Sequence, residues 1–175
     1  TSLLEKAAKL GFKTTYDLLS VDGAGQRMHL IRDGNVRRTW TVSTARAGFG
    51  NRDMSFKTPT GFHRVEDRIG AGAPLGRVFI SREPTDRIWS PGDTDMDDLI
   101  LTRILRLRGL EPNSNLGNGT DSYRRYIYIH GTNHEDQLGQ PVSQGCIRMS
   151  NLDVVECFDE IVDRTCWCWI GAPDA

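Results

Sequence analysis

The stretch HGTNHEDQLGQPVSQGCIRM, at residues 130–149, combines a histidine, a cysteine and an arginine in a segment rich in turn-forming residues. His130 ends the apolar run RYIYIH, so its ring is expected where a strand meets a loop. Cys146 follows Gly145 and comes just before a predicted helix, which predicts a tight turn with an exposed thiol. Because a nearby imidazole can ionise a thiol, Cys146 and His130 are a candidate nucleophile and base.

The residues around the cysteine fit this chemistry, although they also fit a structural role. Backbone N–H groups at Gly145 and Cys146 could hold the oxyanion of a tetrahedral intermediate. Arg148 could bind a substrate carboxylate with its planar guanidinium, or it could bond backbone carbonyls around the turn. From spacing alone, a buried structural cysteine and a hydrogen-bonded histidine stay an open alternative.

Composition narrows the classes of function. The 175 residues suit one domain, 1–175, and the 22 basic and 23 acidic side chains leave a net charge of −1. That balance predicts no basic face for nucleic acid or acidic lipid, and no apolar run approaches the roughly 20 residues of a membrane span. The first ten residues, TSLLEKAAKL, lack the features of a secretory signal. We therefore expect a cytoplasmic protein, or a periplasmic one if a signal peptide has been removed.

The four cysteines bear on compartment and on metal binding. Their even number allows disulfides, but a chain of this size needs no disulfide framework. Cys166 and Cys168 in TCWCWI would face one side of a strand, yet the further ligands of a zinc site do not accompany them. We expect buried, reduced cysteines, no metal and no cofactor.

Hydrophobic patterning predicts a mainly β domain with a few helices at its margins. The segment LILTRILRLRG at 99–109 fits a helix or a strand, and the alternation of its leucines favours the strand. A helix is predicted at about 151–163, where Ser150 and Asp153 form a capping-box pattern. Its expected apolar stripe is Leu152, Val155, Phe158 and Val162. The other predicted elements are a helix at about 2–10 and strands at 16–22, 26–33, 36–43, 62–65, 77–81, 125–130 and 165–170.

Two further segments match ligand-binding loops only in part. GAGAPLG at 70–76 has the glycines of a phosphate loop but not the Lys-Ser/Thr pair that should follow them. DTDMDD at 93–98 starts like a calcium loop, but Asp98 stands where the sharp-turn glycine belongs and Ile104 where the bidentate glutamate belongs. We interpret the first segment as a mobile turn and the second as a solvated acidic loop.

Four motifs, YIHGT, SQGCIRM, VSTARAGFGN and KTPTGFH, together resemble the L,D-transpeptidase catalytic domain of the YkuD type, over about residues 15–170. The resemblance implies a β-sandwich-like mixed-sheet domain and a cysteine acyl-enzyme mechanism on peptidoglycan stem peptides. It implies Cys146 as the nucleophile, His130 as the general base, and the Gly131 carbonyl as the group that orients the imidazole. Ser143, Gly145 and Arg148 match the rest of the signature, whereas Gln144 stands where many members carry histidine.

The predicted site extends beyond the nucleophile and base. The predicted substrate-binding residues are Arg148, Ser143, Gly145, Gln144, Tyr128 and Thr132. Among the other histidines, His63 could approach the site, His134 is expected in a solvated loop, and His29 is expected to have no catalytic part.

The resemblance implies that Cys146 attacks the carbonyl of an L-centre, such as that of meso-diaminopimelate, and releases D-Ala. Hydrolysis of the thioester would make an L,D-carboxypeptidase that trims tetrapeptides to tripeptides in peptidoglycan recycling. Attack by an amine would make an L,D-transpeptidase that forms 3–3 cross-links or exchanges D-amino acids. The expected cytoplasmic location favours hydrolysis, with peptidoglycan-derived tetrapeptides or muropeptides as partners. An inactive wall-peptide-binding domain is the alternative of another class, and the oligomeric state is not indicated.

Overall fold

The computed structural model describes residues 3–161 and 163–173. Over these residues the chain forms two α-helices, one 3-10 turn and ten strands. The helices are α1 (Leu3–Lys9) and α2 (Asn151–Ile161), and the 3-10 turn is Glu135–Gln137. The strands are β1 (Asp17–Asp22), β2 (Arg27–Arg32), β3 (Asn35–Thr41), β4 (Gly61–Ile69), β5 (Arg77–Ile80), β6 (Glu83–Ile88), β7 (Ile100–Gly109), β8 (Tyr128–Gly131), β9 (Ile147–Met149) and β10 (Cys166–Gly171).

All ten strands of the described residues belong to one mixed sheet. Eight of them follow the order β3-β2-β1-β10-β4-β7-β5-β6, while β8 pairs with β7 and β9 pairs with β8. The β1–β10 and β8–β9 pairs are parallel, and the other pairs are antiparallel. The mainly β fold with a mixed sheet and two helices, predicted from the sequence, is therefore confirmed.

Strand β7 joins the site to the rest of the sheet, because it pairs with β4, β5 and β8. Nearly all of its residues are buried, on both faces of the sheet. That double burial explains why the sequence at 99–109 fits a helix as well as a strand, and the strand prediction is confirmed. A bulge interrupts the pairing with β8 between Leu101 and Ile104. Within it Thr102 has a φ of +73°, a conformation that is rare for a β-branched residue.

The sequence did not predict two of the strands, and it placed a third too early. Strand β6 has the polar sequence EPTDRI at the edge of the sheet, where charges and a proline are common and apolar alternation is absent. Strand β9 is only three residues long and follows directly after Cys146. Strand β8 begins at Tyr128 rather than at residue 125, because Tyr126 has a φ of +55° and lies outside extended geometry.

Helix α2 begins as predicted but buries a different face. The Asp153 N–H donates to Ser150 Oγ at 3.1 Å, which is one half of the predicted capping box. Leu152 is 69 % exposed, so the predicted stripe is wrong there, and Val162 lies outside the described residues. The buried face follows the helical spacing of Val154, Cys157, Phe158 and Ile161. Glu156 accepts a hydrogen bond from Trp40 Nε1 of β3 at 2.7 Å. The buried side chains are Asn151, Val154, Cys157, Phe158 and Ile161.

Three apolar clusters pack against the sheet in the described residues, and the smallest contains Phe79, Ile104 and Tyr128. The largest one packs α2 against residues of β1, β2, β7, β8 and β10, and it contains three of the four cysteines. A second cluster packs Ala7 of α1 against Leu18, Phe62 and Trp167. Helix α1 matches the prediction of about 2–10, of which residue 2 lies outside the described residues. Neither helix in the described part of the chain has the length and apolarity that a bilayer span requires.

Candidate active site

The parallel pair β8–β9 brings the predicted base and nucleophile to one place. Ile129 lies opposite Ile147 and His130 opposite Arg148, so Cys146, just before β9, lies level with Tyr128. The Tyr128 N–H accordingly donates to Cys146 Sγ at 3.4 Å. Side chains two residues apart on a strand share a face, so the ring of His130 lies on the same face as that of Tyr128. The sheet therefore brings together two residues that are sixteen positions apart in the sequence.

The thiol of Cys146 is half-buried rather than exposed, which corrects the sequence-based expectation. The residue packs against an apolar cluster of Phe79, Ile104 and Tyr128. Besides accepting the Tyr128 N–H, Sγ donates to the Tyr126 carbonyl at 3.5 Å. No hydrogen bond joins Sγ to His130 among the residues that the structure describes. The resting thiol therefore bonds to the backbone of the segment that leads into β8.

The turn before the cysteine is held by side-chain hydroxyls. Ser143 Oγ donates to the Cys146 carbonyl at 2.6 Å and accepts the Gly145 N–H at 3.2 Å. Thr58, in the predicted motif KTPTGFH, donates its hydroxyl to the Gly145 carbonyl at 3.0 Å. Gly145 has a φ of +130°, which glycine adopts without strain. Since Ser143 already takes the Gly145 N–H, the Cys146 N–H remains as the donor of this turn for an oxyanion.

His130 is buried, and its ring is held in one orientation. Nδ1 lies 2.7 Å from the Gly131 carbonyl, which can only accept, so Nδ1 carries the hydrogen and Nε2 is left with the lone pair. Burial lowers the pKa of His130 below its ordinary value, against the opposing effects of Asp98 and of the Gly131 hydrogen bond. The ring is therefore neutral at pH 7, as a general base requires.

Burial raises the pKa of the Cys146 thiol to about 11. The negative charge of Asp98 raises it further, whereas the Tyr128 N–H and the guanidinium groups of Arg148 and Arg125 lower it. Thiol and imidazole are thus both neutral in the resting protein. The arrangement favours proton transfer to the histidine during attack over a preformed thiolate–imidazolium pair.

Arg148 lies beside the site, but its guanidinium is already paired. Its backbone exchanges hydrogen bonds with Ser43, N–H to carbonyl at 2.9 Å and carbonyl to N–H at 3.0 Å. Its Nη2 donates to Asp98 Oδ2 at 2.5 Å, and its side chain is only 5 % exposed. The predicted carboxylate-binding group therefore holds a carboxylate of the protein itself.

This ion pair corrects the interpretation of residues 93–98 as a purely solvated loop. Asp98 contacts Arg148, and the preceding Asp97 carbonyl accepts the side-chain amide of Asn133 at 2.8 Å. Asn133 Oδ1 in turn accepts the Leu99 N–H at 2.9 Å. The end of the acidic loop is thus docked onto the segment that follows His130.

An open cleft of about 770 Å³ borders the cysteine turn. It carries both signs of charge, because Arg46, Arg148, Asp97 and Asp98 are among the residues that line it. Gln144 also lines the cleft, as does His134, which was expected in a solvated loop. The remaining lining residues are Ala47, Phe56, Met96, Gln137, Val142 and Ser143.

Other predicted residues have different surroundings. Tyr128 is buried, and its hydroxyl accepts a hydrogen bond from Arg82 at 3.2 Å. Thr132 is buried, and its hydroxyl accepts the His134 N–H, so it shapes the loop and does not line the cleft. His63 bonds Gly61 and Ser122 rather than the site, and burial lowers its pKa to about 4. His29 bonds Thr39 on an exposed part of the sheet.

The sequence reasoning missed the side chains that support the site. The sequence predicts Asp98 in a solvated loop and Asn151 only as the start of a helix. No motif includes Arg125, which donates to the carbonyls of Gly50 and Lys57 and lowers the pKa of Cys146. No signal in one sequence connects these positions, because the contacts join segments far apart in the chain. Among the described residues no group of three or more His, Cys, Asp or Glu side chains could hold a metal.

A half-buried thiol and a neutral histidine with a free Nε2, placed by adjacent strands and bordered by an open cleft, are typical of the cysteine-dependent enzymes. The chain belongs to the L,D-transpeptidase catalytic domain (YkuD) family, whose pattern matches residues 17–168.

Individual relatives agree with this assignment. YqjB of Bacillus subtilis (strain 168), whose name provisionally assigns it to the L,D-transpeptidases, is 54 % identical over 43 residues, 25 % of this chain and 23 % of that protein. An L,D-transpeptidase structure from Mycobacterium smegmatis has a TM-score of 0.53 at 16 % identity, covering 90 % of this chain and 59 % of that one. One from Mycobacterium tuberculosis H37Rv has a TM-score of 0.54 at 15 % identity, covering 89 % and 57 %. At such identities the solved structures support the fold alone.

Proposed function

We propose that the protein is an acyl-enzyme peptidase that removes D-Ala from peptidoglycan tetrapeptides, an L,D-carboxypeptidase. Cys146 attacks the carbonyl of the diaminopimelate L-centre while His130 Nε2 takes the thiol proton, and the Cys146 N–H stabilises the oxyanion. His130 then returns the proton to the departing amine of D-Ala, which leaves a thioester on Sγ. A water molecule deprotonated by the same Nε2 hydrolyses the thioester and releases the tripeptide.

The observation that carries this proposal is the mixed charge of the cleft beside the cysteine turn. A diaminopimelate side chain ends in an ammonium and a carboxylate on one carbon. Asp97 suits the ammonium and Arg46 suits the carboxylate, while Arg148 and Asp98, which also line the cleft, neutralise each other in the resting protein. Arg46 is well placed for this role, because its side chain makes no ion pair among the described residues. An uncharged or purely hydrophobic substrate would leave the charges of Asp97 and Arg46 unmatched.

Two features favour water over an amine as the acceptor. The cleft is open to solvent, whereas a transpeptidase must keep water away from the thioester while an acceptor peptide binds. All four cysteines are free, and Cys157, Cys166 and Cys168 lie together in one buried cluster. Adjacent reduced thiols are typical of a reducing compartment such as the cytoplasm, where free muropeptides exist and a wall does not.

The test is incubation of the purified protein with a tetrapeptide ending in diaminopimelate–D-Ala, in water enriched in ¹⁸O, with products followed by mass. We expect free D-Ala and a tripeptide carrying one ¹⁸O atom, and no release by the Cys146→Ala variant. Predominant 3–3 dimers, or exchange of added D-amino acids faster than hydrolysis, would establish an L,D-transpeptidase instead. Peptide binding without any release by the wild-type protein would establish a wall-peptide binder.

A further inference from the structure

The side chain of Asn151, the first residue of α2, ties together three segments around His130. Its Nδ2 donates to the Thr132 carbonyl at 3.0 Å and to Glu135 Oε1 at 2.8 Å. Its Oδ1 accepts the hydroxyl of Thr102 at 2.5 Å, and its backbone N–H donates to Glu135 Oε1 at 2.7 Å. Asn151 is 6 % exposed, so these bonds form away from solvent, where unsatisfied groups are costly. Both the nitrogen and the oxygen of the Asn151 side-chain amide are therefore hydrogen-bonded.

The same amide packs directly on Gly131. A Cβ atom at residue 131 would lie 2.5 Å from Asn151 Oδ1 and 2.7 Å from the Leu101 carbonyl, closer than real Cβ contacts. Glycine is therefore required at this position by the contact with Asn151 and with β7. The carbonyl of Gly131 is the group that accepts the hydrogen of His130 Nδ1. Asn151 thus contacts the residue that fixes the tautomer of the histidine.

Thr102 bonds the oxygen of the Asn151 side-chain amide, and its own backbone conformation is strained. It lies in the bulge of β7, directly across from His130 and Gly131, with a φ of +73°. Its hydroxyl accepts the Gly76 N–H at 2.9 Å while it donates to Asn151. Strained residues persist where their surroundings hold them, and they cluster at functional sites. The strained conformation of Thr102 directs its hydroxyl towards the side-chain amide of Asn151, which packs on Gly131.

We propose that Asn151 is a positioning residue that fixes the Gly131–Thr132 peptide and thereby keeps His130 in its Nδ1–H tautomer. A backbone carbonyl that orients a histidine can turn away by rotation about the bonds on either side of its peptide plane. Asn151 prevents this turn, because it bonds the next carbonyl along the chain, that of Thr132, and packs on the Gly131 Cα. With the tautomer fixed, the lone pair of Nε2 stays available to the thiol of Cys146. The inference rests on the proposed function in taking His130 as the base.

The tautomer can be read without any substrate. In ¹⁵N-labelled protein at pH 8, long-range ¹H–¹⁵N correlations distinguish Nδ1–H from Nε2–H rings, and a His130→Gln spectrum assigns the signal. We expect the Nδ1–H form in the wild type, and its loss or mixing in Asn151→Ala. We also expect Asn151→Ala to lower kcat for D-Ala release at least tenfold, with KM changed by less than twofold. Ser150→Ala is the matched control, because it removes a cap of the same helix without touching Gly131, and it should keep the Nδ1–H form and the wild-type kcat.

A folded Asn151→Ala protein that keeps the Nδ1–H form, with kcat within twofold of Ser150→Ala, would overturn the proposal. If Asn151→Ala does not fold, two variants of Thr102 test the proposal instead. Thr102→Ala, which removes the hydroxyl that holds Oδ1, should lose the Nδ1–H form, and Thr102→Ser, which keeps the hydroxyl, should retain it. Retention in Thr102→Ala would refute the role of the amide. A wild-type protein that shows the Nδ1–H form but releases no D-Ala would refute the proposed function and leave the positioning role standing.

Discussion

Cys146 should alkylate slowly at neutral pH, as a thiol that is almost fully protonated. With a pKa of about 11, only about 10⁻⁴ of the thiol is ionised at pH 7, whereas an ordinary cysteine of pKa about 8.5 is about 3 % ionised. If the thiolate is the reacting species, Cys146 should react about 300-fold more slowly than a cysteine of the unfolded chain. The cause is burial against Phe79, Ile104 and Tyr128, with the charge of Asp98 acting in the same direction.

The assay is a pH series of iodoacetamide alkylation from pH 6 to pH 11, with peptide mass mapping to follow Cys146 alone. The same protein unfolded in urea supplies the reference rate, and Cys157, which is fully buried in the core, should stay unmodified in the native protein. Asp98→Asn should shift the rate profile of Cys146 to lower pH, because it removes a charge that raises the thiol pKa. A rate that already levels off near pH 7 and exceeds that of the unfolded chain would refute the neutral resting state, and would indicate a preformed thiolate–imidazolium pair.

Four further outcomes are expected. Cys146→Ala should abolish D-Ala release without lowering the melting temperature, while Cys157→Ala should keep activity and lose about 1–2 kcal/mol of stability to a small cavity, measured by urea unfolding. Arg148→Lys should lower kcat/KM at least tenfold, since a point charge cannot replace the planar fork, and should also lower the melting temperature because the side chain is buried. Gly131→Ala should cost about 1–3 kcal/mol in urea unfolding, because its Cβ would lie 2.5 Å from an amide oxygen. Because burial lowers the pKa of His130, the acid limb of kcat/KM should fall below pH 6.5, with activity lost as the pH drops through that limb and the base becomes protonated.

Each of these expectations has a contrary result. Wild-type turnover in Cys146→Ala would remove the nucleophile assignment. Full activity in Arg148→Lys would show that the guanidinium serves only Asp98, and an unchanged urea midpoint for Gly131→Ala would show that the neighbouring amide gives way. An acid limb well above pH 6.5 would mean that the charge of Asp98 outweighs the burial of His130.

The sequence predicts a strand where the residues of that strand and the turns beside it indicate extended structure. Strands β1 to β3 are rich in strand-forming residues and are separated by clear turn signals, and β7 has enough leucines to favour a strand despite burial on both faces. The edge strand β6 was not predictable in this way, because its pairing depends on β5 and not on its own apolar pattern. The face that α2 buries was predicted wrongly, although the spacing of Val154, Cys157, Phe158 and Ile161 follows the helical period and indicates the face that the structure buries.

The residues of the candidate site show the same contrast between those that the sequence predicts and those that it does not. Cys146, His130 and Gly131 could be named from motifs, and the structure places them together, while their catalytic roles stay predictions. The residues that support them could not be predicted from the sequence, because Asp98 and Asn151 act through contacts between distant segments. The segment DTDMDD has the composition of a solvated loop. Only the contact of Asp98 with Arg148 shows that Asp98 is part of the site. Motifs report the atoms that react, whereas supporting contacts depend on the completed sheet.

The position of β10 has a consequence for how the protein forms during synthesis. This strand is the last of the ten to be made, yet it lies in the interior of the sheet, between β1 and β4. Until residues 166–171 have left the ribosome, the hairpins at the N-terminal side and the half that carries Cys146 have no strand to join them. Each then presents an unpaired edge, the kind of surface on which chains aggregate or recruit chaperones. We expect a stalled nascent chain that lacks β10 to be sensitive to protease throughout, and release of the final strand to make both halves resistant together.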